Sequence, residues 1–471
     1  MHEITLAKIA EITGGQVFGD PDLILSAIST DSRSSSENWL FAAIKGERAD
    51  GHNYVAQALG NGAMACLVSQ SVEGPHVLVP NYGVELDPVI YALGKLAAFD
   101  RAQFTNVNVV AITGSSGKTS TKDLIGQVLK HSGPTQAPAG SQNNELGLPL
   151  TILTADSDVN NLVLEMGMRG LGHISYLCEI ASPTISVVTN VGQAHIGEVG
   201  SIENIAKAKS EIVQGLCAQN WAILNYDDPY VLEMRNLTKA QVLTYGLSVA
   251  ADVRALNISS CDDGTYEFDI QIANEIARVR LPLLGEHNVL NALAAASVGI
   301  TCGMKLSTVV EALSSVTLLS PWRMEKSVLG NGVTVINDAY NANPESMSAA
   351  LRALAGIAPS GHSWAVLGAM AELGEFSIEQ HDAIGRLAVR LDISNLVVVG
   401  EQAKALYLGA LQEGSWDGES VWFPDFSSAC DYIVERVKSP DVVLFKASRS
   451  GQFEQLAQMV SDAMNDEGSA Q

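Results

Sequence analysis

At 471 residues, 47% of them apolar, the chain has material for about three globular bodies of roughly 150 residues, each with a buried core, and it is too apolar to stay disordered. A formal charge of -24 excludes non-specific attraction to nucleic acid or anionic membrane, so any anionic ligand must be gripped by local groups. Six scattered cysteines with no C-x-x-C pair exclude a zinc ribbon or disulfide framework and point to a reducing cytoplasm.

The opening stretch MHEITLAKIAEITGG has no basic segment followed by an apolar one. No apolar run approaches the ~20 residues of a membrane span, so neither secretion nor insertion is expected. Over residues 1–86 short strands mix with helices around the glycine-punctuated WLFAAIKGERADGHNYVAQALGNGAMACLV, which predicts a small α/β body. From 87 to 319 apolar strands alternate with amphipathic helices: NVNVVAIT, TKDLIGQVLKHSG, NLVLEMG, TISVVTNV, ENIAKAKSEIVQGL, WAILNYDD. That alternation predicts a parallel sheet covered on both faces. Residues 251–283 change to the period-2 patterns TYEFDIQI and RVRLPLL, predicting an antiparallel extension before the helix GEHNVLNALAAA. Ser320-Pro321 marks a boundary. From 320 to 471, GVTVINDAY, WAVLGAM, NLVVVGE, SVWFP and DVVLFKASRS predict a second doubly wound sheet, and the tail NDEGSAQ reads as loose.

The strongest chemical signal is AITGSSGKTS, Ala111 to Ser120. A strand ends on Gly114, Ser115, Ser116 and Gly117, whose backbone N–H groups can approach phosphate oxygens. Lys118 adds positive charge, and Thr119 or Ser120 can reach a magnesium ion at the positive end of the following helix. Glu165 ends the strand LVLEMG, where open α/β sheets bind ligands and where Mg²⁺ would find a carboxylate; the plainer alternative is a solvent-facing strand end. His195, in SVVTNVGQAHIGEVG, follows another strand end, where a histidine is either structural or a ligand.

In the helix after Ser201, Lys207 lies four residues from Glu203 and from Glu211 and is expected on an ion-paired, solvated face. Lys209, four after Ile205 and three before Ile212, falls on the apolar face. An inward lysine either snorkels or loses its charge as desolvation lowers its pKa. GEHNVLNALAAA opens with histidine and asparagine, for capping or for base recognition. DAYNANPESM follows a strand and is either an elaborate turn or a site.

In this order across three bodies, GSSGKTS, LEMG, AHI, AKAKSEI, GEHNVLNALAA, DAYNANPESM and KASRS, with STDSR, DGHNY and SQNNELGLPLT, resemble the Mur ligase family over nearly the whole chain. The resemblance implies an α/β fold of three domains: a small UDP-sugar-binding domain at 1–86, a central P-loop ATPase-like domain at 87–319, and a Rossmann-like domain at 320–471. It implies a cytoplasmic, monomeric ligase of the peptidoglycan pathway that uses ATP and Mg²⁺. Such an enzyme phosphorylates the terminal carboxylate of a UDP-N-acetylmuramoyl-tripeptide and couples it to D-alanyl-D-alanine.

The roles the resemblance implies are as follows. Gly114 through Ser120, with Lys118 central, hold the β- and γ-phosphates. Thr119 and Glu165 hold one magnesium, while His195 and Lys209, the latter as a carbamate, hold a second. Asn288 meets adenine, Arg323 a phosphate, and Asp338 the ribose or the hinge. Ser29, Thr30, Asp31, Ser32, Arg33, Ser141, Asn143 and Asn144 meet the UDP-sugar. Tyr340, Asn341, Asn343, Lys446, Ser448 and Arg449 form the third domain's substrate side.

The chain departs from the family pattern at Ser115 and Ser116, at Ala369 (commonly aspartate), at Ala447 (commonly glycine) and at Trp322 (commonly glycine before the arginine). Rival readings are a folylpolyglutamate synthase, argued against by DGHNY, STDSR and DAYNANPESM, and a P-loop switch or motor, which would want G-x-x-x-x-G-K-[ST]. A non-catalytic UDP-sugar binder is argued against by the intact lysine, glutamate and histidine set.

Overall fold

A computed structural model describes residues 1–34, 38–194, 196–357, 361–415 and 419–469. Among the described residues the main strands form sheets of five, nine and six. In the first, Gln16–Phe18, His76–Leu78, Ala65–Val68, Trp39–Ala42 and Ala27–Ser29 lie side by side, antiparallel only at Gln16–Phe18.

The nine-stranded sheet runs Glu275–Leu281, Tyr266–Ile272, Val253–Ser260, Gln241–Gly246, Trp221–Asn225, Ile185–Val188, Asn108–Thr113, Asn161–Glu165, Thr135–Gln136. The first two pairings are antiparallel, which is the expected extension, and the rest are parallel. In the third sheet Glu325–Val328 runs antiparallel to Thr334–Asn337. Val442–Lys446, Ser363–Leu367, Asn395–Val399 and Ser420–Phe423 then follow in parallel.

Parallel strands buried on both faces need continuous apolar runs. Asn108–Thr113 supplies one: Val109 and Ala111 enter one apolar cluster, Val110 and Ile112 the other. The first of these clusters also holds Leu40 and Leu67 of the first sheet. Helix Pro88–Gln103 joins the two through Val89, Leu93 and Leu96. The third sheet has its own two clusters, with Ala365 and Leu367 on one face and Trp364 and Val366 on the other.

Three local expectations change. Gln241–Gly246 is a strand that apolar patterning misses, because its buried end is polar. Thr244 Oγ1 donates to Asp252 (2.6 Å) and the Tyr245 hydroxyl to Val188 O (3.2 Å), which satisfies both groups. The tail is not loose at its start, since helix Phe453–Ser469 takes in most of NDEGSAQ. Lys207 is exposed but makes no ion pair among the described residues. Glu211 instead accepts from the N–H groups of Gly172 (2.7 Å) and Ser175 (3.0 Å), capping helix His173–Ala181, where a carboxylate gains from the helix dipole. No helix among the described residues is long and apolar enough to cross a membrane.

Candidate active site

After Thr113 the chain must turn within four residues into helix Lys118–Lys130. Gly114 (φ +157°) and Gly117 (φ +77°) adopt backbone angles that side chains disfavour. A Cβ on Gly114 would lie 1.8 Å from Thr189 Oγ1, and one on Gly117 2.9 Å from Asn291 Oδ1. Side chains brace the loop. Asn190 Oδ1 accepts from Ser116 N–H (2.9 Å), Thr189 Oγ1 donates to Ser116 O (2.8 Å), and Gly192 N–H donates to Ser115 Oγ (2.8 Å). The Lys118 ammonium folds back onto Gly114 O (2.5 Å) and Ser115 O (3.3 Å). Burial lowers its pKa against the pull of Glu165. An amine and a helix N-terminus converging in a braced glycine turn form a cradle for an anion.

Glu165, 1% exposed, pairs in register with Ile112, which brings its carboxylate beside the start of the next helix. Its Oε2 accepts from Thr119 Oγ1 (2.8 Å); its Oε1 accepts from Ser141 Oγ and Asn143 Nδ2 (2.8 Å each). Arg323 Nη2 donates to Thr119 Oγ1 at 2.8 Å, and its guanidinium lies 4.2 Å from the Tyr340 ring centroid. Paired hydroxyl and carboxylate oxygens are the hard donors Mg²⁺ takes. Among the described residues no three His, Cys, Asp or Glu side chains gather into a metal cluster. Few protein oxygens suit an ion that retains waters and phosphate oxygens.

Lys209 is 1% exposed and has no hydrogen-bond or ion-pair partner among the described residues. Burial, and then the charge of Lys118, push its pKa well below the ordinary amine range, with Glu345 opposing. The inward reading of this lysine is therefore the one the fold adopts. His195 lies outside the described residues.

From the third sheet, Asp338 Oδ2 accepts from Lys446 Nζ (2.6 Å) and Oδ1 from Met324 N–H (3.0 Å). Lys446 also donates to Asn341 O (2.9 Å). Asn343 Nδ2 reaches Ser115 O (3.4 Å) across the junction. Asn288 Nδ2 donates to Leu284 O and its Oδ1 accepts from Asn291 Nδ2, both at 2.8 Å.

Of the predicted residues, Ser115, Ser116, Gly117, Lys118, Thr119, Ser120, Ser141, Asn143, Asn144, Glu165, Asn288, Arg323, Asp338, Tyr340, Asn341, Asn343 and Lys446 line one cavity of about 850 Å³. Gly114 and Lys209 do not line it. Ser29, Thr30, Asp31, Ser32 and Arg33 do not line it. They follow strand Ala27–Ser29, where Arg33 chelates the exposed Asp31 (2.9 and 2.8 Å) and holds its carboxyl at about 2. Ser448 is buried, donating to Ala342 O (3.1 Å) and accepting from Ala371 N–H (2.7 Å). Arg449 stacks 4.4 Å over Trp322. Trp322 has φ +58°, a conformation glycine takes more readily than a side-chain-bearing residue.

Sequence reasoning missed Thr189, Asn190, Asn291, Glu345 and Glu372. The first two directly follow a strand end, a signal that was available. Glu345 Oε1 accepts from Gln193 N–H (2.7 Å) while Oε2 is buried without a partner among the described residues. Glu372 (φ +62°) lines the cavity, and its charge, after that of Glu165, opposes the lowering of the Lys118 pKa by burial.

Family models match three stretches: "Mur ligase family, catalytic domain" at 25–101, "Mur ligase middle domain" at 112–299, and "Mur ligase, glutamate ligase domain" at 322–449. The chain is 42% identical to the UDP-N-acetylmuramoyl-tripeptide--D-alanyl-D-alanine ligase of Mycobacterium tuberculosis, over 96% of each protein. Crystallographic MurF from Acinetobacter baumannii superposes with a TM-score of 0.89 at 31% identity, covering 98% of this chain and 99% of that one. MurF from Thermotoga maritima in complex with ADP superposes at 0.81 and 29% identity, covering 94% and 98%. By sequence along its length, by three-sheet architecture and by the glycine-lysine turn facing a buried glutamate, this chain belongs to the Mur ligase family.

Proposed function

We propose that this chain joins D-alanyl-D-alanine to UDP-N-acetylmuramoyl-tripeptide at the expense of ATP, yielding the pentapeptide precursor of peptidoglycan. The reading rests on its likeness to ligases bearing that name. The observation that carries it is the Thr119–Glu165 oxygen pair beside the braced Gly114–Gly117 turn.

In this reading units 1–86, 87–319 and 320–471 serve the UDP-sugar, ATP and closure. The tripeptide's terminal carboxylate attacks the γ-phosphorus and ADP leaves. The dipeptide amine then adds to the acyl carbon, loses a proton and expels phosphate. Lys118 and the loop amides hold the charge of the transferring phosphoryl group, and Arg323, across the junction, meets the same phosphates. Thr119, Glu165, His195 and Lys209 as a carbamate would hold Mg²⁺, which supplies positive charge against the phosphate oxygens. The desolvated, low-pKa amine of Lys209 suits capture of CO₂, because only a neutral amine is nucleophilic. The third unit packed over the loop by Asn343, Arg323 and Glu345 keeps water from the acyl phosphate.

Phosphate release from ATP, measured with each combination of sugar tripeptide and dipeptide, tests the reading. It expects strict dependence on both, and equal turnover with either omitted would instead favour a nucleotide switch.

A further inference from the structure

Lys122, one turn beyond Lys118 on the same helix, is 0% exposed. A buried ammonium is costly unless each donor is met. Here all three are met: Pro138 O at 2.5 Å, Gly140 O at 2.8 Å and Asp123 Oδ1 at 2.8 Å. A methionine would fill the same volume at no such cost, so the charge has to be explained by what it holds.

Its acceptors lead to one place by two routes. The carbonyls of Pro138 and Gly140 belong to a stretch outside any helix or strand, so no regular backbone ladder fixes it. That stretch leads straight into Ser141 and Asn143, which make two of the three hydrogen bonds to Glu165. Downstream it has a further tie, from Gly167 N–H to Asn143 O (2.8 Å). On the other route, Asp123 Oδ2 accepts from Ser320 Oγ (2.6 Å) in the linker to the third sheet. Three residues later Arg323 donates to Thr119 Oγ1, which makes the remaining hydrogen bond to Glu165.

We infer that buried Lys122 and its partner Asp123 position the oxygens of the Thr119–Glu165 pair, one through the 138–143 loop and the other through the interdomain linker. Lys122 is then a positioning residue for the cation that accompanies the nucleotide. The inference rests on the reading of Thr119 and Glu165 given above. It predicts that cation affinity depends on a side chain that touches neither nucleotide nor cation.

The test is calorimetric binding of ADP to the full-length protein across a Mg²⁺ series, with thermal unfolding and peptide-substrate KM measured alongside. In Lys122→Met the half-saturating Mg²⁺ concentration rises about tenfold, in the range typical for loss of a residue supporting a metal ligand. ADP affinity in chelator and KM for the dipeptide stay within about twofold. A merely structural lysine would lower the melting temperature and leave the Mg²⁺ dependence in place, which overturns the inference. Asp123→Asn keeps the shape and removes only the counter-charge. It moves the Mg²⁺ requirement in the same direction, and it decides the matter if Lys122→Met does not fold. Wild-type ADP binding that ignores Mg²⁺ would instead defeat the reading of Thr119 and Glu165 and take this inference with it.

Discussion

Gly114→Ala isolates the steric logic of the phosphate cradle. The added Cβ would fall 1.8 Å from Thr189 Oγ1 and 3.1 Å from Thr189 Cβ, where ordinary contacts begin near 3.4 Å. The hydroxyl must withdraw by well over an ångström, which gives up its 2.8 Å hydrogen bond to Ser116 O. Losing that bond costs about 1 kcal/mol, and holding alanine at φ +157° costs roughly 1–3 kcal/mol more. The free loop escapes that sum, roughly 2–4 kcal/mol, by leaving the cradle geometry, and ADP must restore the geometry on binding, about a thirty- to several-hundredfold loss of affinity at 1.4 kcal/mol per tenfold.

Isothermal calorimetry on a double-mutant cycle with Thr189→Ala separates the two terms. Thr189→Ala alone loses up to about tenfold. In its background Gly114→Ala costs only the backbone share, leaving a coupling of about 1 kcal/mol. Equal costs of Gly114→Ala in both backgrounds would show that the clash with Thr189 is not what glycine avoids.

Two other substitutions probe the site. In CO₂-depleted buffer Lys209→Met melts higher than wild type. A buried amine with lowered pKa penalises folding most below its folded-state value, and the gap closes as pH rises toward the ordinary amine range, so a pH-independent gap would contradict desolvation. Lys209→Ala loses about ten- to a hundredfold in activity, and full activity in that variant would remove the lysine from the mechanism. Glu345→Ala breaks the 2.7 Å contact with Gln193 N–H across the junction. Small-angle scattering of the ligand-free chain then gives a larger radius of gyration, whereas an unchanged curve means the contact does not hold the third sheet in place.

What could be read from the sequence was what short-range periodicity encodes. Val109 to Ile112 announce a doubly buried strand because every position is apolar. Ile205, Lys209 and Ile212 fall on one helical face by spacing alone, which is why an inward lysine could be expected before its burial was seen. Lys207 shows the limit of the same rule. Its i,i+4 carboxylate had a better partner in the Gly172 and Ser175 amides of a neighbouring helix, a competition no single-helix pattern contains. Thr189, Asn190 and Asn291 brace the glycine turn from strands and helices distant in sequence. Lys122, three before Ile125 and seven before Leu129, falls on an apolar face by the same spacing, but nothing local says what its ammonium holds.

The continuous apolar cluster linking Leu40 and Leu67 to Val109 and Leu162 through helix Pro88–Gln103 has a geometric corollary. The sheet bearing Ser29 to Arg33 and the sheet bearing Lys118 share one core, like the two jaws of a caliper joined at the beam. A long, two-ended molecule gripped at its far tip by Ser29 to Arg33 would be gauged for length before its reactive tip met the glycine turn.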